Sequence, residues 1–290
     1  MIPAAFDYHA PSTLDEALQL LARHGDAAKL LAGGHSLIPA MRFRLAQPEV
    51  LIDLNKLDTL RYVREEGGAL VIGAMTPEAW LEESAVVQQR FPLLADAVAV
   101  IADPLVRNRG TVGGNLAHAD PANDQPAVML AHGATIVAHG AHGRRTIAID
   151  DFFVSLFESA LQPGEIMVEI RVPAPAPSSG GAYVKMERKV GDYATSAVAV
   201  QLTMSGQTIA SARVALTNVN PVPMRSAGAE AALVGKPATE EVFEAAGKAA
   251  AAECDPSSDL RGTAEFKRDI TRVLAKRAIR RAVARAQGRS

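Results

Sequence analysis

Two glycine pairs set the strongest limit on what this chain can become: Gly33-Gly34 in Ala32-Gly33-Gly34-His35-Ser36, and Gly113-Gly114 in Thr111-Val112-Gly113-Gly114-Asn115. Each follows an apolar segment and opens toward a polar one. A glycine has no Cβ, so it can take up positive φ and let an anion approach its amide. Successive amides then converge into a concave anion site. Leu30-Leu31 reads as the end of a buried strand, and Ser36 to Arg44 as the start of a helix whose first amides add donors. Either pair alone reads as an ordinary turn. Together, each closed by small polar residues (Ser36, and Thr111 with Asn115), they suit a diphosphate held in a groove between two small units.

Composition bounds the rest. A chain of 290 residues, 48% apolar and 21% charged, can bury a real core and divides into two domains. No apolar run approaches the roughly 20 residues that span a bilayer. The start, Met1-Ile2-Pro3-Ala4-Ala5-Phe6-Asp7, lacks the basic and apolar regions of a secretion signal, so a cytoplasmic location is expected. A formal net charge of −2 gives no general pull toward nucleic acid. The single cysteine, Cys254, cannot form an intrachain disulfide, nor hold an iron–sulfur cluster, which takes four ligands, mostly thiolates. Any such cluster belongs to another chain, and Cys254 itself reads as an incidental thiol at a helix end.

The first third alternates strand and helix: a strand at Phe6-Asp7-Tyr8, a helix carrying Leu14, Leu18 and Leu21 on one face, and strands at Ala28 to Leu31 and Val50 to Asp53. Thr13 with Glu16 makes a capping box, Gly25 a stop, and Pro39 keeps the helix after Ser36 short or kinked. A second unit follows. Leu60 to Glu65 and Ala69 to Ala74 read as a hairpin, Pro77 to Glu83 and Phe91 to Ala102 as helices, and Ala134 to Ala138, Thr146 to Ile149 and Glu165 to Val172 as strands of a mixed sheet. Pro173 to Gly181, rich in proline, serine and glycine, reads as an extended linker.

Beyond it, Ala182 to Arg188, Ser196 to Met204 and Ile209 to Thr217 read as a meander, followed by helices near Ser226 to Leu233, Glu240 to Glu253 and Ala264 to Ala286. The last helix has an apolar stripe at i+4 spacing, Phe266, Ile270, Leu274, Ala278 and Ala282. Its other face is basic, with Lys267, Arg268, Arg272, Lys276, Arg277, Arg280, Arg281 and Arg285. That face reads as solvated, with docking onto an acidic partner as the sharper alternative. It lacks the aromatics of a nucleic-acid grip.

These strings, together with Ile101-Ala102-Asp103-Pro104, Leu116-Ala117-His118-Ala119-Asp120-Pro121-Ala122-Asn123-Asp124 and Glu187-Arg188-Lys189-Val190-Gly191-Asp192-Tyr193-Ala194, resemble the FAD-binding medium subunit of the molybdenum hydroxylases, the xanthine dehydrogenase family, and within it the aerobic carbon monoxide dehydrogenase type. The resemblance covers essentially the whole chain. It implies an α+β protein: a two-lobed PCMH-type FAD-binding domain over residues 1–177, with lobes of about 1–55 and 56–177, and a smaller α+β domain over 178–290. It also implies a heterotrimer, assembled as a dimer of heterotrimers. In it a large subunit holds a molybdenum pterin cofactor, a small subunit holds two two-iron two-sulfur clusters, and this chain holds FAD and passes electrons to an external acceptor.

By the same resemblance, Ala32, Gly33, Gly34, His35 and Ser36 and the segment with Thr111, Gly113, Gly114 and Asn115 surround the diphosphate. Ile101 and Ala102 lie near the adenine end, Asp124, Met167 and Lys185 contact the flavin, and Tyr193 lies over or beside its ring. Other readings stand beside these. Asp124 suits the N-cap of a helix beginning at Gln125, Lys185 a solvated strand lysine, Tyr193 a core position. His35 contacts phosphate, although related flavin oxidases attach FAD through a histidine in a similar loop. His118, Asp120 and Asp124 lack a second nitrogen or sulfur donor, so no metal is expected here.

Two other functions compete with the electron-transfer subunit: a self-contained flavin oxidase or reductase, and a flavin-free interaction protein. The missing acid–base set counts against the first, the two intact glycine loops against the second. Asn108-Arg109-Gly110 and Leu116-Ala117-His118-Ala119 lean toward the broader hydroxylase group, which leaves carbon monoxide, purines, N-heterocycles, aldehydes and acyl thioesters open as substrates of the complex.

Overall fold

A computed structural model describes residues 2–289. The first unit comprises β1 (Asp7–His9), α1 (Leu14–His24), β2 (Ala28–Leu31), α2 (Leu37–Arg42) and β3 (Val50–Asp53). Its strands form a parallel sheet in the order β1-β3-β2, with Asp7 and Ala28 both opposite Val50. Thr13 caps α1 by accepting from the Glu16 amide, and the Glu16 carboxylate reaches back to the Ser12 amide, one residue earlier than a standard box. Gly25, at φ +49°, ends the helix. Pro39 leaves α2 only six residues long.

The second unit comprises β4 (Val63–Glu66), β5 (Ala69–Gly73), α3 (Glu78–Glu83), α4 (Ala85–Arg90), α5 (Pro92–Val98), α6 (Pro104–Arg107), α7 (Val112–His118), α8 (Asp124–His132), β6 (Thr135–Gly140), β7 (Gly143–Ala148), β8 (Phe153–Ser155), β9 (Glu158–Ser159) and β10 (Ile166–Pro173). The five-stranded sheet, in the order β4-β5-β10-β6-β7, is antiparallel throughout. The expected mixed sheet is thus wrong: parallel pairing is confined to the first unit, where helices supply the crossovers that parallel strands need.

The third unit comprises β11 (Ser179–Met186), β12 (Ser196–Ser205), β13 (Thr208–Thr217), β14 (Met224–Arg225), α9 (Ala227–Leu233), α10 (Glu240–Glu253) and α11 (Ala264–Ala286). Its sheet is buried on both faces, and the period of two along each strand assigns the residues. Ala182, Val198, Val200, Val214 and Leu216 pack with α10 and α11, whereas Tyr183, Ala197, Ala199 and Ala215 join the core built around α5 and α8.

The glycines at the start of β11 are therefore not linker, and the segment between strands shrinks to residues 174–178. A Cβ on Gly180 would fall 2.0 Å from the Ala282 carbonyl oxygen of α11, so this strand and helix touch at a distance only glycine permits.

The basic face of α11 is largely spent within the chain. Arg272 pairs with Glu244, Lys276 and Arg280 with Glu240, and Lys267, expected on the solvent side, is buried against Asp259 and the Ser257 carbonyl. The i+4 stripe reaches the core only in part: Leu274, Ala278 and Ala282 are buried, whereas Phe266 is exposed. An i+4 line turns by about 40° at each step on a helix of about 3.6 residues per turn, so its ends leave the buried face.

Asp96 of α5 ties the units together. Its carboxylate accepts from Arg281 (3.0 Å), twice from Arg285 (2.7 and 2.9 Å) and from the Tyr183 amide (3.2 Å). The carboxylate is largely buried, so removing it leaves the Tyr183 amide without an acceptor and takes the ion pair from the part-buried Arg285, whereas Arg281 is half exposed. Asp96→Ala is expected to lower the unfolding free energy by about 3 kcal/mol in urea titration. A change below about 0.5 kcal/mol would show the clamp to be an incidental surface contact.

Candidate functional site

The first glycine loop leaves β2 at Leu31 and enters α2 at Leu37. Gly34 sits at φ +78°, a turn that side chains resist. Among the described residues, none of the five amides from Gly33 to Leu37 donates to an acceptor in the chain. Ser36 precedes α2 without a capping bond, so its hydroxyl is also uncommitted, and His35 is exposed beside it. This stretch is a ready set of donors in search of an acceptor.

The second pair differs from expectation. Gly113 and Gly114 lie inside α7, neither at positive φ, and their amides are used. Val112 donates to the Thr76 carbonyl (3.0 Å), Gly113 to Ala74 (2.9 Å), Gly114 to the Thr111 hydroxyl (3.1 Å) and Asn115 to the Thr111 carbonyl (2.9 Å). The pair makes no second amide nest. Glycine is needed here for close approach: a Cβ on Gly113 would lie 2.6 Å from Ala74, and one on Gly114 2.7 Å from the Thr111 hydroxyl and 3.3 Å from the Ala32 Cβ. A Cβ on Gly33 would lie 2.3 Å from the Arg109 carbonyl oxygen. The two loops thus touch, one offering donors and the other a smooth wall. Asn115 adds one signal, because its side-chain oxygen is buried without a partner.

Asp124, Lys185 and Tyr193 gather on a neighbouring side. Asp124 is the first residue of α8, and Asn123 rather than Asp124 occupies the cap position. Its carboxylate accepts from the Tyr183 hydroxyl (2.6 Å) and from Lys185 (3.0 Å), which also donates to the Val100 carbonyl (3.0 Å). The solvated reading of Lys185 fails, since its side chain is 3% exposed. Tyr183 and Lys185 reach Asp124 because both occupy the β11 face turned toward α8. Burial pushes the Asp124 carboxyl up, opposed by the Lys185 charge and the hydrogen bonds it accepts.

The carbonyl of Ile101 accepts from Arg107 (2.8 Å), and Ala102 sits at φ +45°. Gly191 closes on Ala102, where a Cβ would lie 2.9 Å from the Ala102 carbonyl oxygen. The turn is held by Asp192, which accepts from Arg261 (2.8 Å) and Arg188 (3.1 Å), and the Arg261 guanidinium lies 5.6 Å from the exposed Tyr193 ring. Met167 stays in the core on β10, next to Val168, whose carbonyl accepts from the Ala74 amide. The Ala74 carbonyl in turn holds Gly113, so Met167 belongs to the scaffold behind the second loop.

Sequence reading passed over Glu78 and Gln125. Glu78 opens α3, a position where an acid is ordinarily solvated, and nothing in its spacing marks it as buried. It is 2% exposed, and its amide donates to the Gly110 carbonyl just before the second loop. One carboxyl oxygen accepts from the Gln125 amide nitrogen (2.8 Å); the other oxygen, and that of Gln125, are buried without partners. Burial pushes the Glu78 carboxyl up to about 8, and the charge of Asp124 adds to this. A neutral acid brings an O–H donor to this buried place, which an ionised one lacks.

Folding therefore binds a proton at Glu78. The stability this brings is complete below the ordinary carboxyl range and is lost as pH rises through about 8. Glu78→Gln keeps the pairing without the proton. Its Tm is expected to gain roughly 5 °C on the wild type between about pH 5 and about pH 9. A pH-independent difference would show that Glu78 is ionised throughout.

Comparison with known proteins finds relatives along nearly the whole chain. The model of the FAD binding domain in molybdopterin dehydrogenase matches residues 4–175, and that of the CO dehydrogenase flavoprotein C-terminal domain matches residues 181–282. The carbon monoxide dehydrogenase medium chain of Hydrogenophaga pseudoflava is 51% identical over 285 residues, 98% of this chain and 99% of that one. The 6-hydroxypseudooxynicotine dehydrogenase complex subunit alpha of Paenarthrobacter nicotinovorans is 37% identical over 288 residues, 99% and 97% of the two chains. A solved structure of carbon monoxide dehydrogenase from Hydrogenophaga pseudoflava, in a form lacking the Mo-pyranopterin moiety, aligns with TM-score 0.96 and 53% identity, covering 98% of this chain and 99% of that one. The higher identity to the carbon monoxide dehydrogenase chain runs against the lean toward the broader group drawn from residues 108–110 and 116–119. With both family models matched along nearly its whole length, the chain belongs to the FAD-binding medium chains of the molybdenum hydroxylases, oxidoreductase subunits that include those of carbon monoxide dehydrogenase.

Proposed function

We propose that this chain carries FAD in a cytoplasmic heterotrimeric molybdenum hydroxylase of the carbon monoxide dehydrogenase type, taking electrons from iron–sulfur clusters on a small partner subunit and passing them to an external acceptor. The observation that carries the reading is the row of uncommitted amides from Gly33 to Leu37, pressed against the wall of the second loop. A diphosphate is the part of FAD that such a row fits, since its oxygens accept and its charge suits converging amides. The orphaned Asn115 oxygen supplies an acceptor for a donor of the flavin. Lys185, held by Asp124, Glu187 and the Val100 carbonyl, braces the chain next to Ile101 and Ala102, and the exposed Tyr193 ring, with the Arg261 guanidinium 5.6 Å from its centre, offers a face to a planar group.

Bound FAD would supply a redox centre able to exchange electrons singly or in pairs, while the protein supplies position and electrostatics. The substrate is oxidised elsewhere in this reading, at a molybdenum pterin on the large subunit, and two such heterotrimers pair. The 51% identity to the Hydrogenophaga pseudoflava chain supports carbon monoxide as the substrate class.

The protein purified from its native host is expected to bring a large and a small subunit with it and to release about one FAD per chain on denaturation. Turnover by the isolated chain would instead support a self-contained flavin enzyme, and a complex that releases no FAD a flavin-free role. Gly33→Ala places a methyl against the Arg109 carbonyl and is expected to cut FAD content at least about tenfold in the same complex. Full FAD occupancy in that variant would mean the contact between the loops is not required.

A further inference from the structure

We propose that Asn55 is a positioning residue for the cofactor: by holding the Ala32 carbonyl it aims the Gly33 amide at the bound diphosphate. The inference rests on the reading of residues 33–37 as the diphosphate grip.

The Asn55 side-chain nitrogen donates to the Ala32 carbonyl oxygen at 2.8 Å. A trans peptide is planar, with its C=O and N–H pointing opposite ways, and no peptide bond among the described residues is cis. Pinning the Ala32 carbonyl toward Asn55 therefore fixes the Gly33 N–H on the opposite side of that peptide. Glycine at 33 is required by the close approach of Arg109, yet it also leaves the preceding peptide easy to rotate. A rotated peptide would offer the anion a carbonyl oxygen in place of a donor. Asn55 removes that alternative.

The orientation of Asn55 is set by its surroundings. Its nitrogen faces two acceptors, the Ala32 carbonyl and the Asp53 carboxylate (2.6 Å), and its oxygen accepts from the Arg61 guanidinium (3.2 Å). The flipped amide would set oxygen against two acceptors and NH2 against a cation. Asp53 is itself braced, accepting from the Asn55 amide (2.9 Å) and the Tyr8 hydroxyl (2.6 Å). Asp53 lies opposite Leu31 in the parallel sheet, so the web joins all three strands of the first unit to the residue that opens the loop. Asn55 lies on the carbonyl side of the peptide, so it acts through Gly33 and does not itself grip the diphosphate.

The test uses the complex stripped of flavin and titrated with FAD, with ADP as a competing probe that carries the diphosphate without the flavin. Asn55→Ala is expected to weaken FAD and ADP alike by about tenfold, and Asn55→Asp, which keeps the shape but turns the donor into an acceptor, by more. Tyr8→Phe removes only an exposed brace of Asp53, leaves packing intact, and is expected to weaken ADP by about threefold. Unchanged ADP affinity in Asn55→Ala and Tyr8→Phe, with normal FAD uptake by the wild type, overturns the role of Asn55 alone. Weakened FAD with unchanged ADP also overturns it, since the defect would then lie at the flavin end. A wild-type complex that takes up neither FAD nor ADP overturns the reading beneath it.

Discussion

The contact between Gly33 and the Arg109–Gly110 backbone is the constraint on which the rest of this structure turns. It lets a loop that leaves β2 meet the loop between α6 and α7 with no side chain between them. One loop can then keep its amides free because the other supplies the shape. Were both loops donors, the second would have to give up the bonds from Val112, Gly113, Gly114 and Asn115 that start α7 and fasten it to β5 and its following turn. The division has a physical logic: buried amides must be satisfied, and a chain that satisfies one loop internally can leave only the other waiting for a ligand.

The third unit completes the site as much as it caps the molecule. Its sheet sends alternate residues to two cores, and the same alternation that buries Ala197 and Ala199 against the helices of the second unit brings Tyr183 and Lys185 to Asp124. Asp96, gripped by Arg281 and Arg285, fixes that registry from the far end of β11. The basic helix thus serves the interior of the molecule. Docking onto an acidic partner was the sharper reading of its charge, but most of those charges already have partners on α10, α5 and the loop before α11.

Strand positions were legible because β2, β3 and β11 to β13 carry apolar stretches bounded by clear breakers, and the capping signal at Thr13 sits where it was read. Proximity of the two glycine pairs was also legible, although as two donor loops around one diphosphate rather than as backbones in direct contact. The conformation of the second pair was not. Glycine inside a helix and glycine in an anion nest look alike in sequence, and only the clash that a Cβ would meet at Ala74 separates them. Glu78, Gln125 and Asn55 were silent for a different reason. Their roles depend on burial and on partners as distant as Ala32 from Asn55 or Glu78 from Gln125, which no local pattern encodes. Gly180 was misread because proline and serine before it signal a loop, whereas the neighbour that demands glycine is on α11.

Amide hydrogen exchange on the complex, with and without FAD, measures the asymmetry of the two loops directly. Residues 33–37 are expected to exchange freely in the flavin-stripped protein and to become protected when FAD binds, while residues 112–115 are protected in both states. Protection gained at 112–115, with residues 33–37 unchanged, would contradict this asymmetry.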